Sequence, residues 1–168
     1  MKKINEDTAE VTIIPFLEGE VGFYTQKSPE KETVNEDCIG FIELDKNSGV
    51  MAIADGIGGQ RSGSVASKIA IETIFSELKK FKGNPRENLR ETLLKAIDLG
   101  HEEIKSLGVG AGTTLVVAEV VDHNVRFYNL GDSIGFHLGG KGKLKFKTLE
   151  QSPVGYAVES GLLNEKEA

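Results

Sequence analysis

The sequence predicts a layered α+β sandwich, and three observations carry that expectation. Short apolar runs with strand periodicity occupy both flanks of the chain, two long segments with helical apolar spacing fill its middle, and clusters of Gly, Asn and Asp punctuate the runs. Strands, two helices and then more strands in one chain of 168 residues is the order of a layered domain with segregated helices.

The first flank begins with Val11-Thr-Ile-Ile and Val21-Gly-Phe-Tyr-Thr, two short strands separated by Leu17-Glu-Gly-Glu. A polar stretch from Gln26 to Glu32 follows. Cys38 to Leu44 reads as a strand, Asp45-Lys-Asn-Ser-Gly as a turn, and Val50-Met-Ala-Ile-Ala as a strand buried on both faces. A glycine-rich loop, Asp55-Gly-Ile-Gly-Gly-Gln-Arg-Ser-Gly, leads into the first helix. That helix is expected over about 64–80, with Val65, Ile69, Ile74 and Leu78 near helical spacing and Ala66, Ala70 and Phe75 widening the stripe. Gly83-Asn84-Pro85 separates it from the second, with Asn84 as N-cap and Pro85 in the first turn. The second helix runs to about Leu107 on Leu89, Leu93, Ile97 and Ile104, and carries an interior Gly100 that costs about 1 kcal/mol relative to alanine. Strand periodicity then returns in Thr113–Val121, Val125–Leu130, Ile134–Leu138 and Leu144–Thr148, the last with its lysines on the wet face.

Composition narrows the function classes. A net charge of −6 and the lack of Lys/Arg clusters argue against a nucleic-acid binder, which needs cations against the phosphate backbone. No apolar run approaches the roughly 20 residues of a membrane span. The one cysteine, Cys38, allows neither an internal disulfide nor a multi-cysteine zinc site. A reduced, cytoplasmic setting is therefore expected, with no nucleic-acid or membrane partner. The N-terminus turns acidic at once, unlike a signal peptide.

Three acidic clusters sit at strand ends: Asn35-Glu36-Asp37, Asp55-Gly56 and Asp132-Ser133. Carboxylates are poor core residues, whereas strand ends hold side chains rigidly, as a metal site requires. Hard divalent cations take carboxylate and carbonyl oxygens, so Asp55 could bridge ions and the Gly56 carbonyl could add a ligand. Taken singly, each cluster also reads as a turn, because Asp-Gly and Gly-Asp-Ser are common connections. The glycine loop fits neither nucleotide motif: Arg61 stands where a dinucleotide fingerprint needs Gly or Ala, and Ser64 where a P-loop needs Lys. His101, His123 and His137 share no ligand spacing and read as structural. Cys38 reads as a small buried residue.

In order, Val34-Asn-Glu-Asp37, a hydrophobic strand into Asp55-Gly-Ile-Gly-Gly59, Gly63-Ser-Val-Ala-Ser67 opening a helix, Gly112-Thr-Thr-Leu115 and Gly131-Asp-Ser133 resemble the type-2C metal-dependent protein serine/threonine phosphatases. The resemblance covers about residues 21–168. It implies a β-sandwich of two mainly antiparallel sheets flanked by helices, with two Mn²⁺ or Mg²⁺ ions at one edge. It further implies that Asp55 bridges the ions and that the Gly56 carbonyl binds one of them. Glu36 and Asp37 would hold that ion and its waters, and Asp132 would serve a third, weaker site. A metal-bridging water would attack the phosphorus of a phosphoserine or phosphothreonine in a protein substrate.

The sequence departs from the family pattern at three positions. Glu32 stands where many members carry a phosphate-gripping arginine, Ile57 where some carry histidine, and Ile134 where arginine often follows Gly-Asp-Ser. Lys27, Lys31 and Arg61 are nearby cations without a motif match. The family also draws metal aspartates from an Asp-Gly and an Asp-Asn motif in its C-terminal third, which this sequence lacks. Asn164 and Glu167 have capping-box spacing, so an element is expected to begin where the sequence stops. Residues 1–168 are thus expected to form a single, C-terminally incomplete phosphatase-like domain with impaired activity. The alternative expectation, motivated by Glu32, is a catalytically inactive phosphatase-like module that binds regulatory partners.

Overall fold

A computed structural model describes residues 2–29, 34–57, 61–108 and 110–152, with Arg61 described in its backbone only. Along the chain these residues form β1 (Lys2–Ile4), β2 (Thr12–Phe16), β3 (Gly19–Phe23), β4 (Asp37–Asp45), β5 (Ser48–Ile57), α1 (Arg61–Lys80), α2 (Pro85–Ser106), β6 (Gly112–Thr113), β7 (Leu115–Val121), β8 (Asn124–Leu130), β9 (Phe136–Leu138) and β10 (Leu144–Lys147). Glu32, Lys31, the middle of the glycine loop and the expected start of an element at Asn164 lie outside the described residues. No helix among the described residues is long and apolar enough to cross a membrane.

The architecture is α+β with antiparallel sheets. The central sheet runs β1-β4-β5-β7-β8, with the short β6 also pairing with β5. Two local turns set its register. Asn47 N–H donates to the Asp45 carboxylate at 2.8 Å and closes the β4–β5 hairpin, where Asp45 pairs with Ser48. Asp122 and His123 both take positive φ (47° and 65°) between paired Val121 and Asn124, the backbone of a two-residue turn that suits strand twist. His123 is thus a turn residue.

The helices cover one face of this sheet. Ile71, Ile74, Phe75 and Leu78 fall at i, i+3, i+4 and i+7 of α1 and are all buried against Cys38, Ile42, Val50, Ala52 and Ala54. Each such side chain contributes roughly 1.5–3 kcal/mol by leaving water. Gly40 permits the close approach, since a Cβ there would lie 2.6 Å from the Phe75 ring. Val65, expected in this stripe, is 40% exposed, because it falls on the flank of α1 that faces a surface cavity rather than the sheet. Helix α2 lies on α1 through Leu89, Leu93, Ala96 and Gly100. Its Asn84 cap accepts the Arg86 N–H at 3.1 Å, as the Asn-Pro signal implies. Gly100 is buried within reach of Ala70 and Thr73, so the interior glycine marks a close helix crossing.

The opposite face is covered by hairpins. Phe16 and Phe23 of β2–β3 pack on Ile39 and Phe41, and β9–β10 reaches β8 through Phe146 stacked on Phe127 at 5.7 Å. These hairpins are separate two-stranded pieces among the described residues. Two expectations change as a result. The β5 strand is fully buried only toward the helices, with Ile53 left 40% exposed on the hairpin face. All four residues of β10 are exposed, including Leu144 and Phe146 on its apolar side. The expected continuous strand Thr113–Val121 is broken at Thr114, whose N–H and hydroxyl both turn to the Asp55 backbone. Strand β1, which is too short and polar to read from sequence, forms by pairing Lys2–Ile4 with Ile39–Phe41.

Candidate metal centre

The three acidic clusters come to one end of the central sheet. Asp37 opens β4, and Asp55 lies near the end of β5 directly opposite it in the antiparallel register. Alternation along β4 sends Ile39 and Phe41 to the hairpin face and Cys38 and Ile42 to the helix face. Asp37 and Asp55 therefore share the hairpin face, side by side.

Asp37 is held by its neighbours. Its Oδ2 accepts the Thr25 hydroxyl at 2.9 Å, and its N–H donates to Asn35 Oδ1 at 3.0 Å. Asn35 Nδ2 donates to Thr25 Oγ1 at 2.9 Å, so Thr25, Asn35 and Asp37 close a ring of hydrogen bonds. Thr25 and Asn35 are both buried, and that network sets which way the carboxylate faces.

The segment before β4 is also tied to the glycine loop. Gly56 N–H donates to the Glu36 carbonyl at 3.1 Å, and the buried Ser67 hydroxyl donates to the same oxygen at 2.5 Å. Gly56 and Gly63 pass in close contact: a Cβ on Gly56 would fall 2.1 Å from the Gly63 carbonyl oxygen. The buried Glu36 carboxylate lies against Gly63 in the first turn of α1, where the helix dipole favours negative charge.

Asp132 follows the end of β8 and is exposed. Its neighbour Ser133 shares a 2.7 Å hydrogen bond with Thr114 Oγ1, which in turn accepts the Asp55 N–H at 3.1 Å. Thr114 N–H donates to the Asp55 carbonyl at 2.9 Å. One buried threonine thus couples the loop carrying Asp132 to the strand end carrying Asp55. Among the described residues, no three of His, Cys, Asp and Glu converge as a metal cage. Asp37 and Asp55 are paired, Glu36 turns toward α1, and Asp132 is linked through Ser133 and Thr114. Nothing local in the sequence marks Thr25. Thr114 lies in the Gly-Thr-Thr motif, which marks it in the sequence.

Cys38 is fully buried beside Asp37, and burial pushes its thiol up to about 11. At neutral pH it is a protonated core residue.

With this geometry in place, comparison with known proteins defines the class. The protein phosphatase 2C family matches residues 27–157. The serine/threonine phosphatase stp of Listeria welshimeri is 32% identical over 142 residues, 80% of this chain and 56% of that protein. The Streptococcus agalactiae serine/threonine phosphatase structure superposes with a TM-score of 0.71 at 27% identity, over 94% of this chain and 62% of that one. The catalytic domain of the phosphatase PstP, solved with two manganese ions, has the same fold, with a TM-score of 0.66 at 24% identity over 85% and 60% of the two chains. This chain belongs to the protein phosphatase 2C family. It spans a little over half the length of the Listeria relative.

Proposed function

We propose that this chain carries part of the catalytic centre of a metal-dependent protein serine/threonine phosphatase, with residues 1–168 as one phosphatase-like domain. The observation that carries the reading is the registered pair Asp37–Asp55 on one face of a sheet. Like charges directly opposite one another across a ladder repel, and a cation held between them offsets that repulsion. Hard oxygen donors of this kind suit Mn²⁺ or Mg²⁺, so the donor set fits the two ions that the family implies.

In this reading Asp37 and Asp55 would hold the ions, with the Gly56 carbonyl as a further ligand. Glu36 would hold an ion directly or through a water, and Asp132 would serve a third, weaker site. Two divalent ions bound there would supply an acidified water as nucleophile and would neutralise charge on the transferring phosphoryl group. The protein's own part is positional. Thr25 and Asn35 fix the Asp37 carboxylate, and Thr114 fixes the Asp55 backbone. Loss of any of these would tilt a ligand and lower metal affinity. The phosphoproteins implied as substrates of the relatives are the proposed substrates here.

The deciding experiment pairs calorimetric Mn²⁺ titration with hydrolysis of a phosphothreonine peptide, for the wild type and for Asp55→Asn. Metal binding and hydrolysis that both disappear in Asp55→Asn support the reading. A wild-type chain whose titration is flat rules it out. Metal-dependent binding of the peptide without hydrolysis would instead favour the non-catalytic module.

A further inference from the structure

Asp37 also lines a cavity of about 570 Å³, walled by Glu6 and Asp7 of the N-terminal segment, by Lys27, and by Ser64 and Lys68 of α1. Both lysines are exposed, and neither side chain is engaged in an ion pair among the described residues. Their backbones, in contrast, are fixed. Lys27 N–H donates to Asp7 Oδ1 at 2.7 Å. Two residues earlier, Thr25 is clamped to Thr8 (N–H to Oγ1, 3.0 Å; carbonyl from Thr8 N–H, 2.8 Å) and donates its hydroxyl to Asp37. Lys68 follows Ser67, whose buried hydroxyl holds the Glu36 carbonyl. Ser64 and Lys68, four residues apart, share one side of α1 and line the same cavity. Lys27 and Lys68 thus line separate walls of a cavity that Asp37 also lines, each within two residues of a hydrogen bond that anchors residues 36–37.

A phosphoester dianion bound at the centre would bring oxygens beside Asp37, which lines this cavity. In a cavity that also holds Glu6 and Asp7, those oxygens need cations to offset the repulsion, and Lys27 and Lys68 are the cations this cavity presents. We propose that Lys27 and Lys68 form the phosphate-recognition wall of the site and select the phosphorylated residue of a protein substrate. This inference rests on the metal-centre reading above. The lysines act here as specificity residues, because flexible, solvated ammonium groups attract a dianion without fixing the geometry of the reacting atoms.

The test measures binding of a fluorescently labelled phosphothreonine peptide and its unphosphorylated counterpart, by anisotropy at low salt, with and without Mn²⁺. The wild type is compared with Lys27→Glu, Lys68→Glu and the double variant. Both positions are exposed, so the variants should fold, which circular dichroism checks. Each single reversal should weaken phosphopeptide binding about five-fold, as expected for an exposed charge pair, and the double variant should weaken it more. The unphosphorylated peptide should be indifferent, and calorimetric Mn²⁺ affinity should not fall in the variants. Equal affinity of the wild type and the double variant for the phosphopeptide, or no phosphate-dependent binding by the wild type, would overturn the assignment. A flat Mn²⁺ titration accompanied by a retained lysine effect would remove the metal centre but keep the lysines as a phosphate site, so the two failures are distinguishable.

Discussion

Asp37 and Asp55 are directly opposed across the β4–β5 ladder, and the Thr25 hydroxyl at 2.9 Å fixes the Asp37 carboxylate in place. Two like charges directly opposed across a ladder repel one another. Asp37→Asn keeps an oxygen to accept from Thr25 and removes one charge. In the absence of metal it should raise stability by about 0.5–1 kcal/mol, while abolishing the rise in Tm that Mn²⁺ gives the wild type. Urea unfolding with chelator and thermal melts with Mn²⁺ measure the two effects. A metal-free Asp37→Asn variant less stable than the wild type would contradict the account.

The contact between Gly56 and Gly63 makes a steric prediction. A Cβ at Gly56 would overlap the Gly63 carbonyl, which is backbone and cannot rotate away. Gly56→Ala should therefore cost about 3 kcal/mol or more through displacement of the loop from α1. Gly112, where an added Cβ meets nothing within 4 Å, is the control. Gly112→Ala should leave the unfolding free energy from urea titration within about 0.5 kcal/mol of the wild type.

Thr114 is buried and its hydroxyl serves both Asp55 N–H and Ser133. Thr114→Val keeps the shape and strands those partners, at a cost of about 1–3 kcal/mol. Thr114→Ser retains the hydroxyl and should recover most of the polar loss. If the coupling between the Asp55 and Asp132 segments is as described, Mn²⁺ affinity falls in the valine variant and returns in the serine variant. Equal affinities in both would show that the bond is structural only.

A pH prediction comes from the far end of the sheet. Glu119 is buried, takes two hydrogen bonds from Arg126 at 3.0 and 3.2 Å, and accepts the Tyr128 hydroxyl. Burial, and then donation to Glu119, push the Tyr128 phenol up to about 12 from 10.0. A raised pKa means that the folded state holds the proton more tightly, so the stabilisation is complete below about pH 10 and is lost as pH rises toward 12. The tyrosinate absorbance of the folded chain should show a late step near pH 12 that is missing from Tyr128→Phe. A wild-type titration without that step would disprove the arrangement.

Much of this molecule was legible before any coordinates. Asn84-Pro85 starts a helix because an amide side chain can accept a first-turn N–H where proline has none to offer. Asp45-Lys-Asn and Asp122-His-Asn turn the chain through short side-chain and backbone preferences that need no distant partner. The apolar stripes of α1 and α2 located the core face, with Val65 misplaced because it sits at the margin of the stripe. The order of acidic and glycine motifs, from Asn35-Glu36-Asp37 to Gly131-Asp-Ser133, identified the family that the comparison then established.

Other features depend on contacts between residues far apart in the chain. Strand β1 exists because β4 offers it an edge, and the break at Thr114 exists because Asp55 takes over its backbone partners. Thr25 meets Asp37 across 12 residues, and Ser67 meets the Glu36 carbonyl across 31. By itself, the sequence determined where the backbone turns, which faces are apolar and which residue types are available for chemistry, because those follow from local sterics and periodicity. Only the tertiary structure decided that Asp37 opposes Asp55, that Thr114 links Asp55 to Ser133, and that Lys27 and Lys68 stand around one cavity. Strand register and helix packing place those groups, and both are settled by the joint burial of side chains from the whole chain rather than by any segment alone.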